Sequence, residues 1–313
     1  DDPTLTSSYE GQVWYNKNSG TLKTVLSNEA FSSGAPLSTA RGALGGIGTQ
    51  TTGLAVSGQL SSGSNTNLTE EYNGSGWTAG GNVGTARYTM GTAGTQTSGL
   101  ISMGHVGSNT TATELYNGSS WTAGTASNNA RYNLGSGGTQ TSAVMFGGSP
   151  PSGGGGTVTE EWDGSSWTTT GNLGTARYQL SGNNVGTQTA SLCVGGYLPG
   201  AGAADATEEY NGSSWTAGNA LPSAQGNAAR YGTQTAAVIA GGGQSPTTSS
   251  KHYDGTVWST SASIATGRSQ LAASQASQTA GVIFGGGSPP TRQATEEFNE
   301  ETTAINVKTL TQS

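Results

Sequence analysis

The sequence predicts an all-β protein: a six-bladed β-propeller with an extra N-terminal β-hairpin, with seven blades as the alternative. Three observations predict it. A unit of about 45 residues recurs six times, and periods of that size mark repeat architectures. Each unit divides into four short extended pieces separated by turn residues. No stretch sustains a 3.6-residue period, and Gly supplies 53 of 313 residues, which disfavours long helices.

The register of the units is carried by Arg and Trp. Arg41, Arg87, Arg131, Arg177, Arg230 and Arg268 are spaced 46, 44, 46, 53 and 38 residues apart. Trp77, Trp121, Trp167, Trp215 and Trp258 follow at 44, 46, 48 and 43. From Trp to the next Arg the distance is 10 in four of five cases. Gly-Thr-Gln-Thr tetrads begin at Gly48, Gly94, Gly138, Gly186 and Gly232, and the sixth copy reads Ser277-Gln278-Thr279.

The third unit illustrates the pieces in order. Arg131 to Leu134 opens the first, and the Gly-rich Gly135 to Gly138 is expected to turn it. Thr139 to Phe146 is the second, and its continuous apolar run suits a strand covered on both faces. Gly147-Gly148 ends it. Thr157 to Trp162 is the third. Asp163-Gly164 makes a tight turn, since Asn-Gly and Asp-Gly tolerate positive φ, and Trp167 to Thr170 begins the fourth. One such unit cannot bury both of its faces alone; stacking units around an axis does, and closing the ring removes exposed edges.

The ends admit two readings. Residues 1–37 form an N-terminal segment whose hairpin runs through Gln12-Val13-Trp14-Tyr15, a turn at Asn16 to Gly20, and Thr21 to Val25. Residues 38–313 form the propeller. Either Ala304 to Leu310 completes the sixth blade, or the N-terminal strand does so and locks the ring. Counting units favours the first, which leaves the N-terminal hairpin as an extra element.

The blade pattern resembles the Kelch repeat: paired Gly after the second strand, an acidic-aromatic pair, a Trp and an Arg. These stand here as Gly147-Gly148, Glu160-Glu161-Trp162, Trp167 and Arg177. Two copies depart from it, with Ser57-Gly58 and Met103-Gly104. Tyr9 to Asn16, followed by Ser19 to Lys23, resembles an attachment element of structural proteins from marine tailed bacteriophages. The units with Gly-Thr-Gln-Thr and Thr-Glu-Glu-Tyr-Asn-Gly-Ser-Ser-Trp resemble the Kelch-like arrays of the same class of virion proteins. The resemblance implies a virion surface, fibre or appendage protein, located on the virion or outside the cell; the alternatives are a purely structural or decoration virion protein without receptor binding, and a secreted cellular Kelch-like carbohydrate-binding protein.

Composition narrows the function. The net charge is −7 and only 9% of residues are charged, which argues against nucleic acid and anionic membranes as partners. No apolar run approaches the ~20 residues of a membrane span. The two His, His105 and His252, fall in different units, and no His, Cys and carboxylate cluster has metal-ligand spacing. No nucleophile elbow or phosphate loop is present. A non-enzymatic protein without metal or cofactor is expected.

The recurring Arg is expected to be structural, held between blades by carboxylates or carbonyls. Glu70, Glu114, Glu160, Glu208 and Glu296 recur at one point of the third strand, where the fifth unit has Lys251. The Trp residues are expected to pack between blades. The Asn-Gly-Ser triplets match the glycosylation pattern, but Asp163 and Asp254 occupy the same position, so turn geometry explains them better.

The units also compare themselves. The turns between first and second strands and between third and fourth fall on one face and scarcely vary. The loops between second and third strands, with the links between blades, fall on the other and differ in every copy. The link from Ala217 to Ala229 reads as carrying a five-residue insertion. Recognition usually resides in such loops. The candidates are His105, Pro150, Pro151, Tyr197, Leu198, Leu221, Gln244, Pro289, Pro290 and Arg292. The expected partners are a host surface glycan or protein on that face, and other virion proteins or sister chains on the hairpin or the constant face.

Overall fold

The computed structural model of the protein describes residues 13–180, 185–275, 277–287 and 293–306. Every regular element among them is a strand. Five consecutive blades each contain a four-stranded antiparallel sheet. In blade three the strands are Gly135–Thr139, Ser142–Phe146, Thr159–Trp162 and Trp167–Thr170. The first strands of successive blades touch in a closed circle, the sixth meeting the first, and so line the axis.

The innermost strand differs from its sequence expectation. Gly135 to Gly138 is not a turn: Gly135–Thr139 is itself the first strand, paired with Ser142–Phe146. Backbones converge near the axis and leave no room for a side chain at certain positions of the first strands. A Cβ on Gly46, in the first strand of blade one, would lie 2.1 Å from the Ala273 carbonyl oxygen of blade six. Glycine here serves close approach rather than reversal.

The core is a set of wedges between blades. Along the second strand, alternate residues face different neighbours. Ala143 and Met145 pack with Leu100 of blade two, while Val144 and Phe146 pack with Cys193 and Tyr210 of blade four. This explains the unbroken apolar run in a strand with no solvent face.

The ring closes through its N-terminal strand, contrary to the reading that unit counting favours. Thr21–Gly34 lies beside Thr295–Asn306 in an antiparallel register from Lys23–Asn306 to Gly34–Thr295. It thus supplies the fourth strand of blade six. The C-terminal stretch to Asn306 continues the third strand, and Val13–Asn16 adds a fifth. Two strands from opposite ends of the chain can share twelve paired positions, which a short terminal strand could not match. Glu29 fastens this strand to blade five through His252 Nε2 at 3.2 Å and the Ser261 hydroxyl at 2.8 Å. The residues of the hairpin before Val13, and those after Asn306, lie outside the described residues.

The constant face is constant for structural reasons. In each blade the tetrad Gln reaches back to the preceding blade. Gln140 Nε2 donates to the carbonyls of Gly99 and Tyr116 at 2.9 and 2.6 Å, and Gln278 does likewise to Ala237 and Tyr253 in the unit whose tetrad has degenerated. Each Trp does the same on the outer side: Trp167 Nε1 donates to Thr113 Oγ1 at 3.1 Å, and Trp77 reaches across the closure to Thr295 Oγ1 at 3.1 Å. The Asn-Gly and Asp-Gly turns are Asx turns, as where Asn117 Oδ1 accepts from Ser119 and Ser120 N–H.

A second ladder joins third strands. The Tyr116 hydroxyl donates to Glu71 of the preceding blade at 2.6 Å; Tyr210 and Glu161, Tyr253 and Glu209, and Tyr72 and Glu297 repeat it. Where blade three has Trp162, blade two has Leu115, and the two pack together. Burial first, and the hydrogen bond to Glu71 second, push the Tyr116 hydroxyl up to about 12, whereas an unfolded Tyr loses its proton at about 10. The folded state therefore holds more protons between those values. This stabilisation is complete below the unfolded value and is lost as pH rises through the folded one. Tyr116→Phe is expected to flatten the alkaline fall in stability, measured as the shift in urea midpoint between about pH 9 and about pH 11; an unchanged slope would count against the ladder.

Candidate functional site: the axial mouth of the variable face

Five of the six links enter their blades through a buried guanidinium. Arg131 Nη1 donates to the carbonyls of Gly147 and Val158 at 2.7 and 2.6 Å, and Nη2 pairs with Glu160 at 3.0 Å. Both side chains are buried. The Glu also accepts the N–H of Asn128, three residues before the Arg. Arg41–Glu70, Arg87–Glu114, Arg177–Glu208 and Arg268–Glu296 repeat the arrangement at 2.5 to 2.8 Å. The clamp acts within one blade, tying the link to its own second and third strands, rather than between blades as the sequence suggests. Burial depresses the Arg131 pKa and the Glu160 charge opposes that fall.

Blade five departs from the pattern. Arg230 is not the anchor; Gln225 is. Gln225 Nε2 donates to the carbonyls of Gly241 and Ser249, the counterparts of Gly147 and Val158. Its Oε1 accepts from Lys251 Nζ at 2.6 Å, and Lys251 stands where the other blades have Glu. The polarity is reversed, with the cation on the strand and the neutral group on the link. Arg230 lies in the first strand and donates through Nε to the Val194 carbonyl at 3.0 Å. The sequence carried the signal. Gln225 precedes its tetrad by 7 residues, as Arg41, Arg87 and Arg131 do, and follows Trp215 by the usual 10. With Gln225 as anchor, the supposed insertion between Ala217 and Ala229 disappears.

The clamp delivers the next two residues to the axis. The second after each anchor has positive φ in every blade: Ala43, Thr89, Asn133, Gln179, Asn227 and Gln270, all between 51° and 57°. Six non-glycine residues in the left-handed region are uncommon and signal an over-determined structure. Their backbones join in a circle. Thr89 N–H donates to Ala43, Asn133 to Thr89, Leu180 to Asn133, Asn227 to Gln179, Gln270 to Asn227 and Ala43 to Gln270, at 2.8 to 3.2 Å. A second circle runs the opposite way, from the second Gly of each pair to the carbonyl of the next blade's anchor, as in Gly148 to Arg177 at 2.9 Å. Ser57 and Met103, which replace the first Gly of the pair, also adopt positive φ.

The residue immediately after each anchor stands at the rim, bridged to the variable loop. Tyr88 pairs with His105, Tyr132 with Ser149 and Tyr178 with Tyr197. The His105 ring sits between Tyr88 and Tyr132, with centroids at 5.1 and 5.3 Å. Tyr178 and Tyr197 lie 6.1 Å apart, and burial pushes the Tyr197 hydroxyl up while the Gln244 backbone N–H donates to it. Elsewhere on the rim the equivalents are Gly42, Gly226 and Ser269. Aromatic residues thus occupy one side of the mouth only. The loops are pinned to each other: Asn65 Nδ2 donates to the His105 carbonyl at 3.2 Å and Asn109 Nδ2 to the Ser149 carbonyl at 3.0 Å.

The structure brings His105 and Gln244 to this face; Tyr197 lies at its edge with its side chain buried, only 4% exposed and packed against Gly226. Leu198 begins a small hairpin with Gly202–Ala203 beside them. Leu221 does not join them: it is 4% exposed and packs in the wedge between blades four and five. Pro150 and Pro151 stand on the loop of blade three. Pro289, Pro290 and Arg292 lie outside the described residues. Sequence reasoning missed Tyr88, Tyr132 and Tyr178, although each directly succeeds an anchor Arg. Aligning the six units on their anchors and reading the next position would have found them.

Fold and site together define a six-bladed propeller of Kelch-like architecture. Among solved structures the chain is similar to one titled "Structure of YjhT", with a TM-score of 0.68 at 12% identity, covering 86% of this chain and 99% of that one. At that identity the likeness speaks for the fold. No protein-family model matches the chain, and no curated protein does.

Arg131→Met is expected to cost about 3–5 kcal/mol, because it strands the buried Glu160, and urea unfolding measures it. Gln225→Arg combined with Lys251→Glu should restore a clamp of the common kind and lie close to wild type, while Lys251→Glu alone should be clearly destabilised.

Proposed function

We propose that this chain is a non-enzymatic virion surface protein of the tail-fibre type, whose variable face adheres to a glycan or protein on the host surface. The observation that carries this reading is the one-sided aromatic rim on pinned loops. Tyr rings on a rigid support are favoured contact groups. The opposite face offers less, since its repeated residues are engaged in holding blades together. The carboxylates of the third strands are engaged as well: Glu70, Glu114, Glu160, Glu208 and Glu296 by Arg, and Glu71, Glu161, Glu209 and Glu297 by Tyr. The virion assignment leans on the resemblance of the N-terminal segment and of the repeats to phage structural proteins. It needs no metal or cofactor.

A second reading has its own support. Val13 and Tyr15, on the outermost strand of the hairpin, are each 58% exposed. Apolar side chains on an edge strand suit docking to another virion subunit or a sister chain, so the protein would be a structural or decoration component.

Site-directed shielding separates the readings. Ser152→Cys places a thiol on an exposed loop of the variable face and Thr97→Cys one on the constant face. The native Cys193 is buried, and burial pushes its thiol up to about 11, so it should not compete for a maleimide polymer. Binding to intact candidate host cells is expected to be abolished by polymer at residue 152 and retained with polymer at residue 97. Loss only at residue 97 would move host binding to the constant face and overturn the reading of the variable face, and no cell binding by the unlabelled protein across several hosts would favour the structural component.

A further inference from the structure

We propose that Tyr88, His105 and Tyr132 form a subsite for an uncharged pyranose residue, stacked against the rings and hydrogen-bonded by His105 Nε2. The inference deepens the adhesive reading of the same face and rests on it. A pyranose presents a flat apolar C–H surface and a rim of hydroxyls, so it needs an aromatic wall flanked by neutral donors and acceptors. The three rings supply the wall. They are half-buried, and mutually tilted by 48° and 60°.

The tautomer of His105 follows from its partner. Gly107 N–H donates to His105 Nδ1 at 3.2 Å, so in the neutral ring the proton resides on Nε2, which is then a donor. Burial pushes the Tyr88 hydroxyl up, with a smaller push from Tyr132, whose hydroxyl lies near it. Tyr88 is thus a neutral donor and acceptor at physiological pH. The loop holding His105 is fixed from both sides, by its paired backbone bonds with Tyr88 at 3.2 and 3.0 Å and by Asn65. Little ordering entropy then remains to be lost on binding.

Charge selects against an ionic sugar. Among the described residues, the cations next to these rings, Arg87 and Arg131, are buried and already neutralised by Glu114 and Glu160.

The test uses the whole chain on immobilised oligosaccharides ending in glucose, galactose or mannose, and on sialylated counterparts. His105→Phe keeps a ring but removes the donor; Tyr132→Ala removes part of the wall. Binding to at least one neutral-ended oligosaccharide is expected, weakened at least about tenfold in both variants, with the melting temperature of His105→Phe close to wild type. Should Tyr132→Ala unfold, His105→Phe carries the test. Binding to sialylated ends alone, to no oligosaccharide, or equally well by folded His105→Phe would overturn the proposal. Whole-cell binding without any neutral-oligosaccharide binding would sink this subsite and leave adhesion standing. Ring-dependent oligosaccharide binding without any cell binding would do the reverse.

Discussion

The buried anchor of each link, a guanidinium in five blades and the Gln225 amide in blade five, is the interaction on which the remaining geometry depends. It fixes the link across the top of its blade through two carbonyls and one charged side chain. That fixes where the next two residues emerge. One becomes the rim and the other enters the left-handed region at the axis. A surface ion pair could not impose this, because it is weak and solvent-screened. Here both partners are out of water, and the guanidinium fork also satisfies carbonyls at the ends of two strands. Blade five supports the geometric reading, since Gln225 and Lys251 span the same carbonyls with the charge moved to the other partner. What is preserved is the set of hydrogen bonds, and the ion pair is one way to make it.

Blade number, strand order and the two faces were legible in the sequence, because each follows from periodicity and turn chemistry. Strand identity near the axis was not. Gly135 to Gly138 reads as a turn in any local account, and only the convergence of six backbones makes it a strand. Ring closure was hidden for a similar reason: which terminus pairs beside Thr295–Asn306 depends on a contact between chain ends, and counting units carries no information on it. Arg230 shows a different failure. Residue identity was followed where spacing should have been, and spacing pointed to Gln225.

The candidate site was legible by half. The variable face was found by comparing units, and His105 and Gln244 came with it. Leu221 was drawn in by its place in a link, though its side chain turns into a wedge. The rim tyrosines escaped notice because they lie beside a structural motif rather than within a variable loop. The constant face is explained without any partner, since its Gln, Trp and Asn residues all have internal tasks.

The circle of backbone hydrogen bonds around the axis has an electrical consequence. Peptide dipoles lined up in a helix leave a partial charge at each end. Arranged head to tail around a ring they have no ends, and the second circle, running in the opposite sense, cancels what asymmetry remains. The mouth therefore carries no fixed pole. The aligned peptide groups of the mouth therefore add no long-range pull of their own, and whatever field reaches it comes from charged side chains, which salt screens within about 10 Å.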